Sequence, residues 1–100
     1  MVSIEKVAKA FSDKNRLKII QMLFSGQKNV SEVADALDVE ENLASHHLRV
    51  LASLGYLKSD KKGREVYYKI NETKIISLLK DLSKSDSFRD ILERTLKELK

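Results

Sequence analysis

The sequence predicts a mainly α-helical domain that carries one small β-hairpin. Most apolar residues recur at the three-to-four-residue spacing of amphipathic helices. The exception is residues 64–70, where apolar and polar side chains alternate as in a half-buried strand. One hundred residues, 42% of them apolar and 6% aromatic, suffice for one hydrophobic core but not for two. We therefore expect residues 1–100 to form a single domain.

Composition narrows the possible functions. The formal net charge of +4 suits a polyanionic partner, although many small basic proteins bind nothing anionic. Cysteine is absent, which excludes disulfides and thiol chemistry. No apolar run approaches the ~18 residues of a membrane span and no secretory signal is present, so we expect a cytoplasmic protein with no membrane partner. Because no catalytic motif or Gly-rich phosphate loop occurs, we expect no enzymatic activity.

Residues 31–54 predict two helices joined by a short turn. The first helix covers 31–37, and we expect Ser31 to cap it. The turn covers 38–40, and Val39 within it can point back into the core. The second helix runs from about residue 41 to residue 54 and is stopped by glycine. Its predicted inward face comprises Leu43, Leu48, Leu51 and Leu54.

Opposite that apolar face, the second helix presents short polar groups followed by a cation. They are Asn42, Ser45, His46 and Arg49. A helix that exposes amide, hydroxyl, imidazole and guanidinium groups together is suited to reading base edges in a DNA major groove. Arg49 is the strongest candidate for a base contact, and a phosphate contact or a solvated side chain is the alternative. The pattern predicts a helix-turn-helix whose second helix is an outward-facing recognition helix.

A hairpin follows directly after this helix. We expect strands over 56–60 and 64–70, joined by the Lys-Lys-Gly sequence between them. Lys61, Lys62 and Arg64 would then lie at its tip and contact the phosphate backbone or the adjoining minor groove. The alternative is a charged tip that only keeps the hairpin soluble. A basic hairpin directly after a recognition helix is typical of the wing in a winged helix-turn-helix.

The remaining apolar periodicity predicts further helices. One covers residues 2–11, and a second follows Asp13, which can cap it. Another begins after Asn71, and a tail helix covers 88–100. The predicted order is therefore helix, helix, helix, helix, strand, strand, helix, and then a C-terminal tail helix. The expected inward residues are Leu17, Ile20, Leu23 and Phe24 after Asp13, and Ile75, Ile76, Leu78, Leu79 and Leu82 after Asn71.

Four stretches together resemble a known family. They are residues 13–20 (DKNRLKII), 45–51 (SHHLRVL), 55–57 (GYL) and 63–68 (GREVYY). In these stretches the chain resembles the ArsR/SmtB family of metal- and stress-sensing bacterial and archaeal repressors. The resemblance implies a winged helix-turn-helix homodimer that binds an imperfect inverted repeat in double-stranded DNA and represses transcription. It also suggests that the N-terminal helix dimerises, and the alternative is that this helix packs only on its own chain. The narrow apolar stripe of the tail would add a dimer helix or fold over its own domain.

The metal ligands implied by the resemblance are missing from this chain. Many metal-sensing relatives have Cys-x-Cys at the start of the third helix, where this sequence has Asn29 and Ser31. Neither side chain can supply a thiolate. The positions of a second family site correspond to Glu72, Lys74, Ser85 and Phe88, of which two cannot bind a cation. We therefore expect no metal site and no cofactor, and the effector is unknown.

The adjacent histidines have different predicted roles. Neighbouring residues on a helix point about 100° apart, so His46 and His47 would not easily bind one metal ion. We expect His46 to contact DNA. His47, at the edge of the buried stripe, is either structural or a contact to the DNA backbone, and Ser31 is a second candidate for a backbone contact. Glu40 and Glu41 at the start of the recognition helix would repel phosphates.

Two other functions compete with that of a sequence-specific repressor. A winged helix can serve as a protein–protein docking module, with the basic hairpin incidental, and would then show no sequence-selective DNA binding. A nonspecific architectural DNA-binding protein would bind without sequence preference and with a strong dependence on salt.

Overall fold

The computed structural model describes residues 10–84, with the backbone alone at 82 and 83, together with residues 86, 87, 90, 94 and 97. Within residues 10–84 there are four helices that follow residue 13 and an antiparallel three-stranded sheet. In chain order the elements are α1 (Lys14–Leu23), β1 (Lys28–Asn29), α2 (Val30–Leu37), α3 (Glu41–Ser53), β2 (Leu57–Lys62), β3 (Glu65–Ile70) and α4 (Glu72–Ser83). This is the α+β winged helix that the sequence predicted.

Both predicted terminal helices fall largely outside the described residues. Of the helix predicted over 2–11, only Ala10 and Phe11 are described, and both are helical. The apolar stripe of the tail, Phe88, Ile91, Leu92, Leu96 and Leu99, lies outside them. None of the described helices is long and apolar enough to span a bilayer.

The predicted cap of α1 is confirmed. Asp13 has an extended backbone, and its side chain accepts the N–H groups of Asn15 at 2.8 Å and Arg16 at 3.2 Å. These bonds satisfy two of the N–H groups that have no partner within the helix, and the carboxylate suits the positive end of the helix dipole.

The predicted inward face of α1 is only partly correct. Ile20 and Leu23 are buried as expected, and Ile19 is buried with them. Leu17 is 44% exposed and Phe24 is 63% exposed, which contradicts the prediction for both. The buried stripe is therefore narrower than the apolar pattern suggested, because only one flank of α1 packs against α3 and the sheet.

The first helix of the helix-turn-helix begins one residue earlier than predicted. Asn29, not Ser31, is its N-cap: the Asn29 side chain accepts the N–H of Glu32 at 2.8 Å. The Glu32 carboxylate accepts the N–H of Asn29 at 2.9 Å in return, which completes a capping box. Asp38 ends the helix in the left-handed conformation, with φ of 57°, and so forms the predicted tight turn.

The recognition helix α3 is rotated relative to the prediction. Ala44, Leu48 and Leu51 are fully buried and His47 is 5% exposed, whereas Leu43 is 42% exposed. Leu43 was predicted to face inward, and this was wrong. The buried stripe of α3 packs on α1, α2 and β2, and the small Ala44 occupies the place in that stripe that was assigned to leucine.

The sheet has a strand that the sequence did not reveal. β1 pairs with β3 through Lys28 opposite Tyr68 and Asn29 opposite Tyr67, so the strand order is β1-β3-β2. Two consecutive polar residues carry no alternation that could mark a strand, and their pairing with β3 is a tertiary contact.

The wing hairpin is longer than predicted. Its register runs from Leu57 opposite Ile70 to Lys62 opposite Glu65. Lys61 and Lys62 therefore belong to β2, and the turn consists of Gly63 and Arg64 alone. Gly63 has φ of 63°, the left-handed backbone that a two-residue hairpin turn needs at its first position.

Asn71 connects the start of α4 to the end of α3. Its Nδ2 donates to the Gly55 carbonyl at 2.8 Å, and its Oδ1 accepts the N–H of Lys74 at 3.4 Å. Along α4, Ile75 and Leu78 are buried as predicted. The predicted burial of two other residues is wrong, because their exposed fractions are 51% at Ile76 and 54% at Leu79.

The core joins α1, α2 and α3. The largest fully buried side chains are Ile19 of α1, Val33 of α2, and Leu48 and Leu51 of α3. Because α3 contributes two of the four, its orientation is set by this core, and the opposite side of α3 is left facing solvent.

Candidate nucleic-acid interface

The outward face of α3 brings together three of the four predicted base-reading residues. Asn42, His46 and Arg49 are all exposed. They follow one another at intervals of four and three residues, so they lie on one side of the helix. Ser45 is half-buried and lies at the flank of this face. The arrangement offers amide, imidazole and guanidinium donors on a convex surface that fits the width of a major groove.

His47 lies inside the domain. Its ring is directed towards the start of α1, with Nε2 at 3.9 Å from the carboxylate Oδ1 of Asp13. Its Nδ1 is buried and has no hydrogen-bond partner among the described residues. Burial lowers the pKa of the imidazole, and the nearby Asp13 carboxylate offsets this in part. Of the two roles predicted for His47, this position supports the structural one.

The Asp13 carboxylate is itself held in its charged form. Desolvation raises its pKa, but the N–H groups of Arg16 and Asn15 and the charge of His47 outweigh that effect and leave the pKa below its usual value. The same carboxylate thus caps α1 and approaches the recognition helix. This couples the position of α3 to the first turn of α1.

Two places where a metal ion could be considered are the adjacent histidines and the family position at Asn29. The rings of His46 and His47 are 5.9 Å apart at their centroids, and one side chain is exposed while the other is buried. Asn29 is occupied as the cap of α2. In the part of the chain that is described, no three His, Asp or Glu side chains are grouped closely enough to hold a metal ion.

The three basic residues predicted at the wing tip do not form one cluster. Lys61 and Lys62 are consecutive in β2, so their side chains point to opposite faces of the hairpin. Lys62 shares its face with Tyr67, and its Nζ lies 5.3 Å from the centre of that ring. Arg64 is exposed in the turn. The wing thus carries positive charge on both faces and at its end.

Sequence reasoning overlooked a second pair of lysines on the wing. Lys58 of β2 lies directly opposite Lys69 of β3, on the same face as Lys62. Like charges placed opposite each other destabilise a sheet slightly. The alternation of β3 already placed Lys69 on the outward face, but its pairing with Lys58 depends on the register.

The starts of α2 and α3 carry different polar groups, a hydroxyl in α2 and carboxylates in α3. Ser31, predicted to contact the DNA backbone, is exposed in the first turn of α2. Glu40 and Glu41 are exposed at the start of α3, and the Glu40 side chain makes no capping hydrogen bond. Both carboxylates are thus exposed, and their repulsion of phosphates stays a prediction.

Comparison with known proteins decides the family. Residues 13–59 match the family described as "Bacterial regulatory protein, arsR family". The transcriptional repressor SdpR of Bacillus subtilis (strain 168) is 31% identical over 70 residues, which are 70% of this chain and 78% of SdpR. The chain belongs to the ArsR family.

Two further relatives extend the comparison within the ArsR family. A homologue of the cadmium resistance transcriptional regulatory protein CadC from Staphylococcus aureus is 38% identical over 79 residues, which are 78% of this chain but only 65% of that protein. A winged helix-turn-helix DNA-binding domain from Mycobacterium bovis, homodimeric in solution, is 26% identical. It superposes with a TM-score of 0.66 over 83% of this chain and 80% of its own. SdpR is named as a transcriptional repressor, the CadC homologue as a transcriptional regulatory protein, and the Mycobacterium bovis domain as a possible transcriptional regulator.

Proposed function

We propose that this chain is a sequence-specific DNA-binding transcriptional regulator that acts as a repressor. The observation that carries the proposal is the outward face of α3, where Asn42, His46 and Arg49 are exposed beside a basic hairpin. Its relatives support it, since SdpR is a repressor and the Mycobacterium bovis protein is a DNA-binding domain.

In this proposal α3 recognises the bases and the wing hairpin contacts the phosphates. With α3 in the major groove, Arg49 can pair with the O6 and N7 atoms of a guanine, and Asn42 can pair with an adenine. Lys61, Lys62 and Arg64 contact the phosphates and so set the orientation of the domain. The exposed carboxylates of Glu40 and Glu41 at the start of α3 repel the phosphates and so moderate the affinity.

The apolar surface on α1 and α4 supports a homodimer. A groove of about 560 Å³ between them is lined by exposed apolar side chains, among them Phe24, Ile76 and Leu79. A second copy that covers this surface would remove it from water. The Mycobacterium bovis domain is homodimeric. Two recognition helices about 34–36 Å apart would then read the halves of an inverted repeat.

The effector of this regulator is not cadmium bound at the family positions. The relative from Staphylococcus aureus is a cadmium resistance regulator. Here the corresponding positions hold the capping Asn29, the exposed Ser31, and Lys74 on α4. None of these supplies the soft thiolate ligands that thiophilic metals prefer.

A binding measurement tests the proposal. The preferred duplex is first selected from a random pool, and its affinity is compared with that of a scrambled duplex of equal length at several salt concentrations. We expect a preference of at least ~10³ that persists as salt rises. Equal affinities that collapse with salt would show a nonspecific binder. Binding to neither duplex would favour the docking module.

Two substitutions separate the roles of helix and wing. Arg49→Ala should lower the preference for the selected duplex by roughly 1–3 kcal/mol and change the salt dependence little. Lys62→Ala should weaken binding to both duplexes alike and reduce the salt slope by about 1 per subunit. Lys18→Ala, exposed on α1, is the matched control and should change neither. Identical behaviour of the Arg49 and Lys62 variants would contradict this division.

A further inference from the structure

The recognition helix has one large apolar side chain exposed to solvent. Leu43 is 42% exposed, whereas the neighbouring Ala44 is fully buried. Burial of apolar surface alone would favour the reverse arrangement, with the larger residue inside. Leu43 belongs neither to the buried core nor to the half-buried apolar residues packed against that core. Leu43 therefore keeps a large part of its apolar surface in solvent.

Leu43 is also separate from the apolar surface assigned to the dimer. The other exposed large apolar residues in the described part of the chain lie on α1, directly after α1, or on α4. They are Leu17, Phe24, Ile76 and Leu79. Leu43 lies on α3 and does not line the groove between α1 and α4. A second copy seated in that groove leaves the exposure of Leu43 unexplained.

The position of Leu43 on the helix points towards DNA. It lies in the first turn of α3 and neighbours His46, three residues later, on the flank of the outward face. The N-terminal residues of a recognition helix are the ones that contact base edges. A helix with its side chains is about 10–12 Å wide and the major groove about 12 Å, so both flanks of the helix lie close to the groove walls.

We propose that Leu43 is a specificity-determining residue that packs on the 5-methyl group of a thymine in each half of the operator. The proposal rests on the proposed function, in which α3 enters the major groove. A leucine can neither donate nor accept a hydrogen bond, and the thymine methyl is the apolar group that a base edge presents in that groove. Leu43 thus adds a preference for thymine to the polar readout by Asn42, His46 and Arg49.

Replacement of thymine by deoxyuridine tests this contact, because it removes only the methyl group. After selection of the preferred duplex, each thymine is replaced in turn, in both half-sites at once, and the affinity is measured by fluorescence anisotropy. Burial of one methyl group is worth about fourfold in affinity. We therefore expect one symmetric replacement to weaken binding of the natural chain roughly 15-fold. The same replacement should change the affinity of Leu43→Ala less than about twofold.

Leu17→Ala is the matched control, since Leu17 is exposed to a similar extent, 44%, but lies on α1. It should retain the full sensitivity to deoxyuridine, whatever its effect on overall affinity. Circular dichroism must show that Leu43→Ala keeps the native fold. Equal sensitivity of Leu43→Ala and the natural chain would overturn the inference, as would a natural chain that is insensitive at every thymine. Failure to select any preferred duplex would instead overturn the proposed function, and this inference with it.

Discussion

Asp13 links the start of α1 to α3, so its replacement tests how the framework under the proposed DNA-binding surface is stabilised. Its Oδ1 accepts the N–H groups of Asn15 and Arg16 and lies 3.9 Å from Nε2 of His47. Asp13→Ala removes this acceptor and leaves both N–H groups without their cap. Loss of an N-cap costs typically ~1 kcal/mol. In a domain of this size that lowers Tm by about 4–8 °C.

Thermal and urea unfolding at pH 7, followed by circular dichroism, measure this loss. All variants are compared at one protein concentration, because the stability of a dimer depends on it. Asp13→Asn should retain most of the stability, since asparagine caps a helix as well as aspartate does. Asp35→Ala, exposed on α2, should stay within about 0.5 kcal/mol of the natural chain. Unchanged stability of Asp13→Ala, or an equal loss in Asp13→Asn, would refute the capping argument.

Three other positions test the buried imidazole, the core and the hairpin turn. Burial holds the pKa of His47 below its ordinary value of 6.5, so the unfolded chain binds more protons than the folded one below about that pH. The neutral His47 therefore contributes to the free energy of unfolding above pH 6.5. This contribution is lost as pH falls towards the pKa of His47 in the folded state. His47→Gln should make the urea midpoint less dependent on pH between pH 7 and 5. Coinciding curves for His47→Gln and the natural chain would contradict this. Leu48 is fully buried, so Leu48→Ala should lower the free energy of unfolding in urea by about 2–5 kcal/mol. Leu43→Ala should lower it by less than about 0.5 kcal/mol. Equal losses would be inconsistent with the observed rotation of α3. At Gly63, with φ of 63° and open space around its Cα, Gly63→Val should lower stability by about 1–2 kcal/mol through backbone strain. Gly63→Asn should lower it less, and a larger loss for Asn than for Val in thermal melts would be inconsistent with the turn.

Local patterns in the sequence were enough to predict most of the elements. Asp13 as a cap, the turn that begins at residue 38 and the alternation in β3 each depend on residues close together in the chain. The exposure of Asn42, His46 and Arg49 on one side of α3 follows from helical periodicity in the same way. These features could be predicted because the interactions that cause them are local.

Only the tertiary structure decided how the elements face one another. Periodicity identifies the apolar half of a helix, but each residue turns the helix by about 100°, so its neighbours select which apolar residues are buried. In α3, contacts with neighbouring elements bury Ala44 and His47 and leave Leu43 exposed. The strand β1 exists only because β3 lies beside it. The sequence by itself thus determined the winged helix and its recognition face, whereas packing between distant segments decided the rotation of α3 on which the proposed thymine contact depends.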